Sequence, residues 1–211
     1  MPDSIDQSAA SALTRRFVDA VGYAVGLHLD QSREGSGVPY AGHLLGVCSL
    51  VLEAGGSEDE AIAALLHDAG EDRGGEARLV EIRERFGGNV AGIVRACSDS
   101  LLQNKPDWKT RKEAYLEHLD GQPQSVLLVS LADKLFNARA ILRDYRSVGE
   151  SLWMRFSAGR DGVLWYYRSL SDSFTRIVSG NPMAGELAEV VTELSRLVAA
   201  ASADSRLQAR P

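Results

Sequence analysis

Residues 61–72 read AIAALLHDAGED, and this stretch decides the fold class of the 211-residue chain. Six apolar residues run without interruption up to His67, so the helix that they form is apolar on almost every side. A helix of that kind is typical of the centre of a helical core. Ser57 stands before it with Glu60 three residues later, which is the capping-box pattern that begins a helix. We therefore predict a central, buried helix over residues 58–69.

On both sides of this helix, apolar residues recur at helical spacing, and Gly-rich or Pro-containing breaks separate the segments. No segment shows the convincing period-two alternation that is typical of a half-buried strand. The predicted helices span about residues 10–29, 41–53, 58–69, 76–86, 89–97, 108–119, 124–144, 149–157, 160–179 and 184–200. We therefore expect an all-α, single-domain helical bundle over residues 10–200, with flexible ends at 1–9 and 201–211.

Composition and charge restrict the classes of molecule that the chain is expected to bind. The formal net charge of -6 argues against general nucleic-acid binding, but a local cluster of basic residues still permits an anionic small molecule. The N-terminus lacks the apolar segment of a signal peptide, and no apolar run is long enough to span a membrane. Cys48 and Cys97 do not form a CxxC pair, and we expect buried free thiols. We predict a cytoplasmic protein that binds neither nucleic acid nor membranes.

Four polar residues stand at positions where the pattern favours apolar side chains or close helix packing. His67 and Asp68 end the most buried helix, where an imidazole and a carboxylate are costly unless something pairs with them. Asp133 interrupts SVLLVSLADKLF, and for an isolated aspartate a buried salt bridge with Lys134 or an arginine is the expected role. His43 follows a turn at the start of another helix. Two imidazoles and two carboxylates, with positions left for water, suit Mn²⁺, Fe²⁺ or Zn²⁺, so we predict one divalent-metal site.

These residues match a known signature. His43, the pair His67-Asp68 and Asp133 follow the H…HD…D pattern of the HD metal-dependent phosphohydrolase superfamily. The segments VPYAGHLLGV, AALLHDAGED and LVSLADKLFNARAI further resemble the hydrolase domain of the RelA/SpoT family, especially its small stand-alone alarmone hydrolases. The resemblance covers about residues 15–175. It implies an HD-domain bundle that removes the 3′-pyrophosphate of the stringent-response alarmones ppGpp and pppGpp, giving GDP or GTP.

The resemblance also implies roles at the site itself. The four residues of the signature would bind one Mn²⁺ ion, with Fe²⁺ or Zn²⁺ as alternatives. Glu71 and Asp72 match the acidic pair that positions and activates the attacking water. Each of the two follows a residue of the HD pair by four positions, so both lie near the metal if the helix continues. A solvated helix end is the alternative role of this pair.

Four further residues are candidates for contacts with the substrate. Asn137, one helical turn after Asp133, matches the residue of the family that contacts the nucleotide. Arg33 matches the basic position that packs on the purine. Lys134 and Arg160 are candidate phosphate contacts, and surface salt bridges are an equal alternative for each.

Departures from the family pattern leave other functions open. Ala69-Gly70 stand where the small hydrolases carry Thr-Val, so the substrate could be another 3′-pyrophosphorylated nucleotide, NADPH or a 5′-nucleotide. A non-catalytic nucleotide sensor is disfavoured, because all four ligands and both acidic residues are present. A two-metal cyclic-dinucleotide phosphodiesterase is also disfavoured, because His28 and His118 are expected on helix surfaces.

Overall fold

The computed structural model describes residues 13–33, 35–98 and 106–208 of the chain. Within these ranges the regular structure is helical, apart from an isolated antiparallel bridge between Ser32 and Pro39. The helices are α1 (Arg15–Leu27), α2 (Ala41–Glu53), α3 (Glu58–Leu66), α4 (Ala69–Asp72), α5 (Gly75–Phe86), α6 (Gly88–Cys97), α7 (Trp108–Leu119), α8 (Gln124–Val148), α9 (Gly159–Ile177) and α10 (Pro182–Gln208), with a 3-10 helix at Gly149–Arg155. The predicted all-α class is confirmed. In the described ranges, no helix is both long and apolar enough to cross a membrane.

The chain divides into two compact units. The first comprises Met1–Gln103 with Gln124–Val129, and the second comprises Asn104–Pro123 with Ser130–Pro211. Helix α8 is one continuous helix that supplies residues to both. The predicted domain limits stay predictions, because residues 1–9 lie outside the described part of the chain.

Helix α3 is the central helix of the first unit. Residues 61–66 are all fully buried, and α3 packs against α1, α2 and α6. At its start the Ser57 hydroxyl accepts from the backbone N–H of Glu60, and the Glu60 carboxylate accepts from the backbone N–H of Ser57 at 2.6 Å. The predicted capping box is therefore confirmed. It satisfies backbone donors that the first turn of a helix leaves open.

Helix α3 ends at Leu66, earlier than the predicted residue 69. His67 and Asp68 form a turn, and the short helix α4 starts directly after them. The Nδ1 atom of His67 lies 2.8 Å from the carbonyl oxygen of Ala64. A continuing helix would offer this same carbonyl to the backbone N–H of Asp68. Competition for that acceptor, together with the preference of aspartate for helix starts, accounts for the break.

Helix α9 organises the second unit. It packs against α7, α10 and the 3-10 helix. Its buried residues are Val163, Leu164, Tyr166, Tyr167, Leu170, Ser171 and Phe174. Trp153 of the 3-10 helix is also buried, with its ring centre 5.4 Å from that of Tyr145. These aromatic side chains therefore belong to the core of the second unit.

Helix α8 ends at Val148, four residues later than predicted, and α6 and α10 also differ from their predicted ends. Helix α6 starts at Gly88 with Gly87 as its N-cap, whereas the sequence predicts a cap at Asn89. Gly87 has a φ of 93°, which glycine adopts without strain, and the Asn89 amide instead donates to Asp59 at 2.8 Å. Helix α10 continues to Gln208, so its predicted end near residue 200 is wrong. The Ala, Leu, Arg and Gln residues of this stretch favour helix more than its polar character suggests.

Both cysteines are free thiols, as predicted. Cys48 is buried in α2, and burial raises the pKa of its thiol to about 11. Cys97, at the end of α6, is half-buried and not fully buried. At neutral pH Cys48 is therefore a protonated, apolar side chain that contributes to packing.

The capping box predicts a measurable contribution to stability. Ser57→Ala removes the side-chain acceptor at the start of α3, so we expect the free energy of unfolding to fall by about 1 kcal/mol. Urea denaturation followed by far-ultraviolet circular dichroism measures this change. Ser147→Ala, at an exposed serine inside α8, is the matched control and should change stability by less than about 0.5 kcal/mol. Equal effects of the two substitutions would contradict the capping role.

Candidate metal centre

A short hairpin leads from α1 to α2. The backbone N–H of Arg33 donates to the carbonyl of Val38 at 2.8 Å, and that of Tyr40 donates to the carbonyl of Gln31 at 3.0 Å. This pairing fixes Tyr40 directly before the first turn of α2. His43 lies in that turn and is only 2% exposed. The hairpin thus places an imidazole in the interior of the first unit.

His43 meets the pair His67-Asp68 inside the first unit. The Nε2 atoms of the two histidines are 3.2 Å apart. The Oδ2 atom of Asp68 lies 3.0 Å from Nε2 of His67 and 3.4 Å from Nε2 of His43. Both histidine Nε2 atoms thus lie within 3.4 Å of the same carboxylate oxygen.

The hydrogen bond of His67 shows which of its atoms faces this point. Its Nδ1 atom contacts the carbonyl of Ala64, and a carbonyl only accepts, so Nδ1 carries the proton. In the neutral ring Nε2 then presents a lone pair. That lone pair faces the carboxylate of Asp68, which is also an acceptor. Two such atoms at this distance need a proton or a metal ion between them, and a set of imidazole nitrogens and carboxylate oxygens fits a divalent cation.

Asp133 lies in α8 and is buried. Its Oδ2 atom accepts from Nζ of Lys134 at 2.6 Å, and its Oδ1 atom accepts from the amide of Asn137 at 2.6 Å. The salt bridge that the sequence offered as an alternative role is therefore present. The role of Asp133 as a metal ligand stays a prediction.

Lys134 occupies an enclosed position in the second unit. Its Nζ atom is 4.8 Å from the centre of the Tyr115 ring. Burial opposes its positive charge, but the Asp133 carboxylate together with Tyr115 and Tyr166 outweighs burial and holds the pKa of Lys134 well above its ordinary value. The ammonium is therefore charged at neutral pH. Its role as a phosphate contact stays a prediction.

The two acidic residues after the HD pair lie on α4. Glu71 is half-buried, and the side chain of Asp72 is outside the described part of the structure. The condition for placing both near the metal by helical spacing, a helix that continues through them, is not met, because α3 ends at Leu66 and α4 begins at Ala69. How close Glu71 and Asp72 lie to the pair His67-Asp68 therefore depends on the short turn between α3 and α4.

The predicted substrate contacts lie on different elements. Arg33 is half-buried in the hairpin, and Asn137 is bonded to Asp133 as described. Arg160, at the start of α9, pairs with Asp161 at 3.0 Å and with Glu150 at 3.6 Å. The salt-bridge alternative is thus observed for Arg160, and its contact with substrate stays a prediction.

Sequence reasoning missed Tyr40 and His28. The hydroxyl of Tyr40 donates to Oδ2 of Asp68 at 2.5 Å. The prediction that His28 lies on a helix surface is wrong, because it is only 2% exposed and stacks on Tyr40 with ring centres 5.1 Å apart. His118 is exposed, as predicted. The turn before His43 was the available signal for Tyr40. For His28 the signal was helical spacing, because it follows the buried Ala20 and Ala24 at intervals of four residues.

The family profile of the HD domain matches residues 20–164, well over half of the chain. This chain belongs to the HD domain family. The matched range contains the HD pair His67-Asp68 together with His43 and Asp133. An HD domain implies a divalent metal, and the donor set described above fits one.

Relatives of this HD domain protein share one name. A Xenopus tropicalis protein is 36% identical over 130 residues, which are 60% of this chain and 70% of that protein. A Homo sapiens protein is 32% identical over 131 residues, which are 61% of this chain and 70% of that protein. Both are named guanosine-3′,5′-bis(diphosphate) 3′-pyrophosphohydrolase MESH1.

Solved structures share this HD domain fold. One, described as a metazoan orthologue of SpoT that hydrolyses ppGpp, has a TM-score of 0.70 at 26% identity and covers 87% of this chain and 97% of that one. A protein of Listeria monocytogenes EGD-e has a TM-score of 0.63 at 29% identity and covers 71% of this chain and 96% of that one. The fold of this chain therefore includes nearly the whole of both structures.

The centre predicts a metal-dependent gain in stability. An ion that binds only the folded state stabilises it by about 2.7 kcal/mol when present at about a hundred times its Kd. After treatment with EDTA, we expect added Mn²⁺ to raise the unfolding temperature in calorimetry. His67→Ala removes a ligand and should lose most of this rise, while His118→Ala, at the exposed histidine, should keep it. A full rise in His67→Ala would refute the assignment.

Proposed function

We propose that this chain is a metal-dependent hydrolase that removes the 3′-pyrophosphate of ppGpp and pppGpp, giving GDP or GTP and pyrophosphate. The observation that carries the proposal is the meeting of His43, His67 and Asp68 at one point, in a chain whose relatives bear the name of this activity. The structural neighbour described as hydrolysing ppGpp supports the same substrate. The proposed setting is the cytoplasm, with a nucleotide as partner and neither nucleic acid nor membrane.

The proposal assigns one ion to His43, His67, Asp68 and Asp133. Mn²⁺ is the proposed ion, and Fe²⁺ and Zn²⁺ are alternatives that accept similar nitrogen and oxygen ligands. When bound, the ion supplies a water of lowered pKa and polarises the phosphorus–oxygen bond that is cut. The burial of both histidines and of Asp133 supports the assignment, because enclosed ligands keep a fixed geometry.

Glu71 and Asp72 are proposed to hold and deprotonate the attacking water. A general base acts only within hydrogen-bond reach of the proton that it removes. Helix α4, which carries both residues, starts directly after Asp68, and Glu71 is half-buried on it. This short connection supports a place for the acidic pair beside the ligands.

Arg33, Lys134, Asn137 and Arg160 are the proposed contacts of the nucleotide. Arg33 lies on the hairpin that leads to His43, and its planar guanidinium is suited to stacking on a purine. The surface ion pairs of Arg160 contribute little energy, so a phosphate group can replace them. The charged ammonium of Lys134 and the amide of Asn137 both lie next to Asp133.

A second candidate keeps the centre and changes the substrate. Ala69 and Gly70 are both buried and stand between the HD pair and Glu71, where the resembling small hydrolases carry Thr-Val. The smaller pair alters the space and removes a hydroxyl close to the ligands. Another 3′-pyrophosphorylated nucleotide, NADPH or a 5′-nucleotide therefore remains an alternative substrate. A non-catalytic sensor is a weaker candidate, because the ligands and Glu71 are retained.

A substrate panel tests the proposal. Purified protein with Mn²⁺ is incubated with ppGpp, pppGpp, NADPH and 5′-nucleotides, and the products are separated by ion exchange. We expect ppGpp to yield GDP and pyrophosphate in equal amounts, and His67→Ala to lose this activity while His118→Ala keeps it. Absence of GDP from the ppGpp reaction, or undiminished turnover in His67→Ala, would overturn the proposal. Faster turnover of another nucleotide would favour the second candidate.

The role of Glu71 is tested by removing its charge. Glu71→Gln keeps the size of the side chain but cannot accept the proton of the water, so we expect kcat to fall by about 10²–10⁴-fold. Glu76→Gln is the matched control, because Glu76 is an exposed glutamate of α5 that pairs with Arg95. It should leave kcat within about twofold. Equal kcat values for the two variants would exclude Glu71 as the base.

A further inference from the structure

The hydroxyl of Tyr40 acts on the same carboxylate oxygen that faces the two histidines. It donates to Oδ2 of Asp68 at 2.5 Å, and this oxygen lies 3.0 Å from His67 and 3.4 Å from His43. A carboxylate only accepts, so the proton of the bond belongs to the tyrosine. Hydrogen bonds from hydroxyl to carboxylate are short and roughly twice as strong as neutral ones. Tyr40 therefore has the strength and the direction to set the orientation of Asp68.

The bond from Tyr40 orients the side chain of Asp68, whereas helix α4, which begins directly after Asp68, does not. It stands at the N-cap of α4, yet its side chain makes no capping bond to that helix. Its side chain is also 24% exposed, whereas those of His43 and His67 are nearly fully buried. Among the three residues that meet in the first unit, Asp68 is thus the one whose side chain is least enclosed by packing.

The ring of Tyr40 is itself held from two sides. His28 stacks on it with ring centres 5.1 Å apart and an interplanar angle of 22°. His43 meets it edge-on, with ring centres 5.3 Å apart and an angle of 63°. Because both imidazoles are buried, the phenol has little freedom to swing its hydroxyl away from Asp68.

Gln31 holds His28 and the backbone of Tyr40 together. Its Oε1 atom accepts from Nε of Arg73 at 3.2 Å and contacts Nδ1 of His28 at 2.7 Å. Since Nε of arginine only donates, the contacting atom of Gln31 is oxygen, and Nδ1 of His28 must carry a proton. The backbone carbonyl of Gln31 also accepts from the N–H of Tyr40. One glutamine thus ties the stacking histidine to the base of the tyrosine.

We propose that Tyr40 is a positioning residue that fixes Asp68 as a metal ligand, with His28 and Gln31 holding its ring in place. The inference rests on the metal centre of the proposed function and not on the identity of the nucleotide. The hairpin before α2 therefore does more than connect two helices. It supplies one ligand, His43, and the residue that orients another. Loss of an outer hydrogen-bond partner of a metal ligand typically weakens metal binding about 10–100-fold.

Tyr40→Phe tests the role of the hydroxyl while keeping the ring. We expect the Kd for Mn²⁺, measured by titration calorimetry, to rise about 10–100-fold. We also expect the visible absorption bands of the Co²⁺-loaded protein to change, because they report the geometry of the ligands. Tyr145→Phe is the matched control, since the buried Tyr145 also donates to a carboxylate, that of Glu150, at 2.7 Å. It should change neither the Mn²⁺ affinity nor the Co²⁺ spectrum.

Gln31→Leu provides a second test that leaves the hydroxyl in place. It removes the acceptor that holds His28, so we expect a smaller rise in the Kd for Mn²⁺, about 3–10-fold. If Tyr40→Phe lacks the helical circular dichroism of the wild type, the result for Gln31→Leu decides. If Tyr40→Phe folds, wild-type Mn²⁺ affinity together with an unchanged Co²⁺ spectrum would overturn the inference. If it does not fold, unchanged Mn²⁺ affinity in Gln31→Leu would overturn it.

Neither readout uses a nucleotide, so the two proposals fail separately. A wild-type protein that binds Mn²⁺ but does not hydrolyse ppGpp refutes the proposed substrate and leaves the role of Tyr40 to be decided by the variants. A wild-type protein that does not bind Mn²⁺ refutes the metal centre and this inference together.

Discussion

Nε2 of His67 and Oδ2 of Asp68 face each other at 3.0 Å beside a buried core, and a neutral His67 ring with its proton on Nδ1 presents only a lone pair there. A proton or a metal ion must then lie between the two atoms, because buried lone pairs repel and lose their hydration. The neighbouring residues support this contact. The Ala64 carbonyl holds the Nδ1 proton of His67, and the Tyr40 hydroxyl offsets charge on Asp68. The first unit is therefore organised around a position that favours positive charge.

The backbone at this contact stays close to helical although α3 ends before it. A regular helix points two successive side chains about 100° apart. His67 and Asp68 both keep right-handed helical backbone angles, so the conformations of their side chains bring Nε2 and Oδ2 together. Residues 61–66, which are fully buried, give the turn a rigid support. The break after Leu66 separates Glu71 from α3 and places it on a short helix of its own.

Features that depend on local sequence were predicted well, and those that depend on tertiary contacts were not. The buried α3 and its Ser57 capping box follow from an apolar run and a spacing of three residues, which are local signals. The end of α3 depends on a side chain that takes a backbone acceptor, and helix periodicity does not include that competition. His28 continues the buried stripe of Ala20 and Ala24, but a polar residue at the end of a helix suggests exposure, and its stacking on Tyr40 is a tertiary contact that periodicity does not predict. His67, Asp68 and Asp133 could be singled out from the sequence because polar groups beside apolar stretches need a partner.

Asp133 shows that a salt bridge and a ligand role are compatible. The sequence offered these as alternatives, and Lys134 does bond to Oδ2 while Asn137 bonds to Oδ1. A carboxylate has about four lone-pair positions, so two donors and a cation can share one carboxylate. The two donors also reduce the energy of burying the charge and keep the carboxylate from rotating. The buried ion pair thus prepares Asp133 for a metal and does not compete with it.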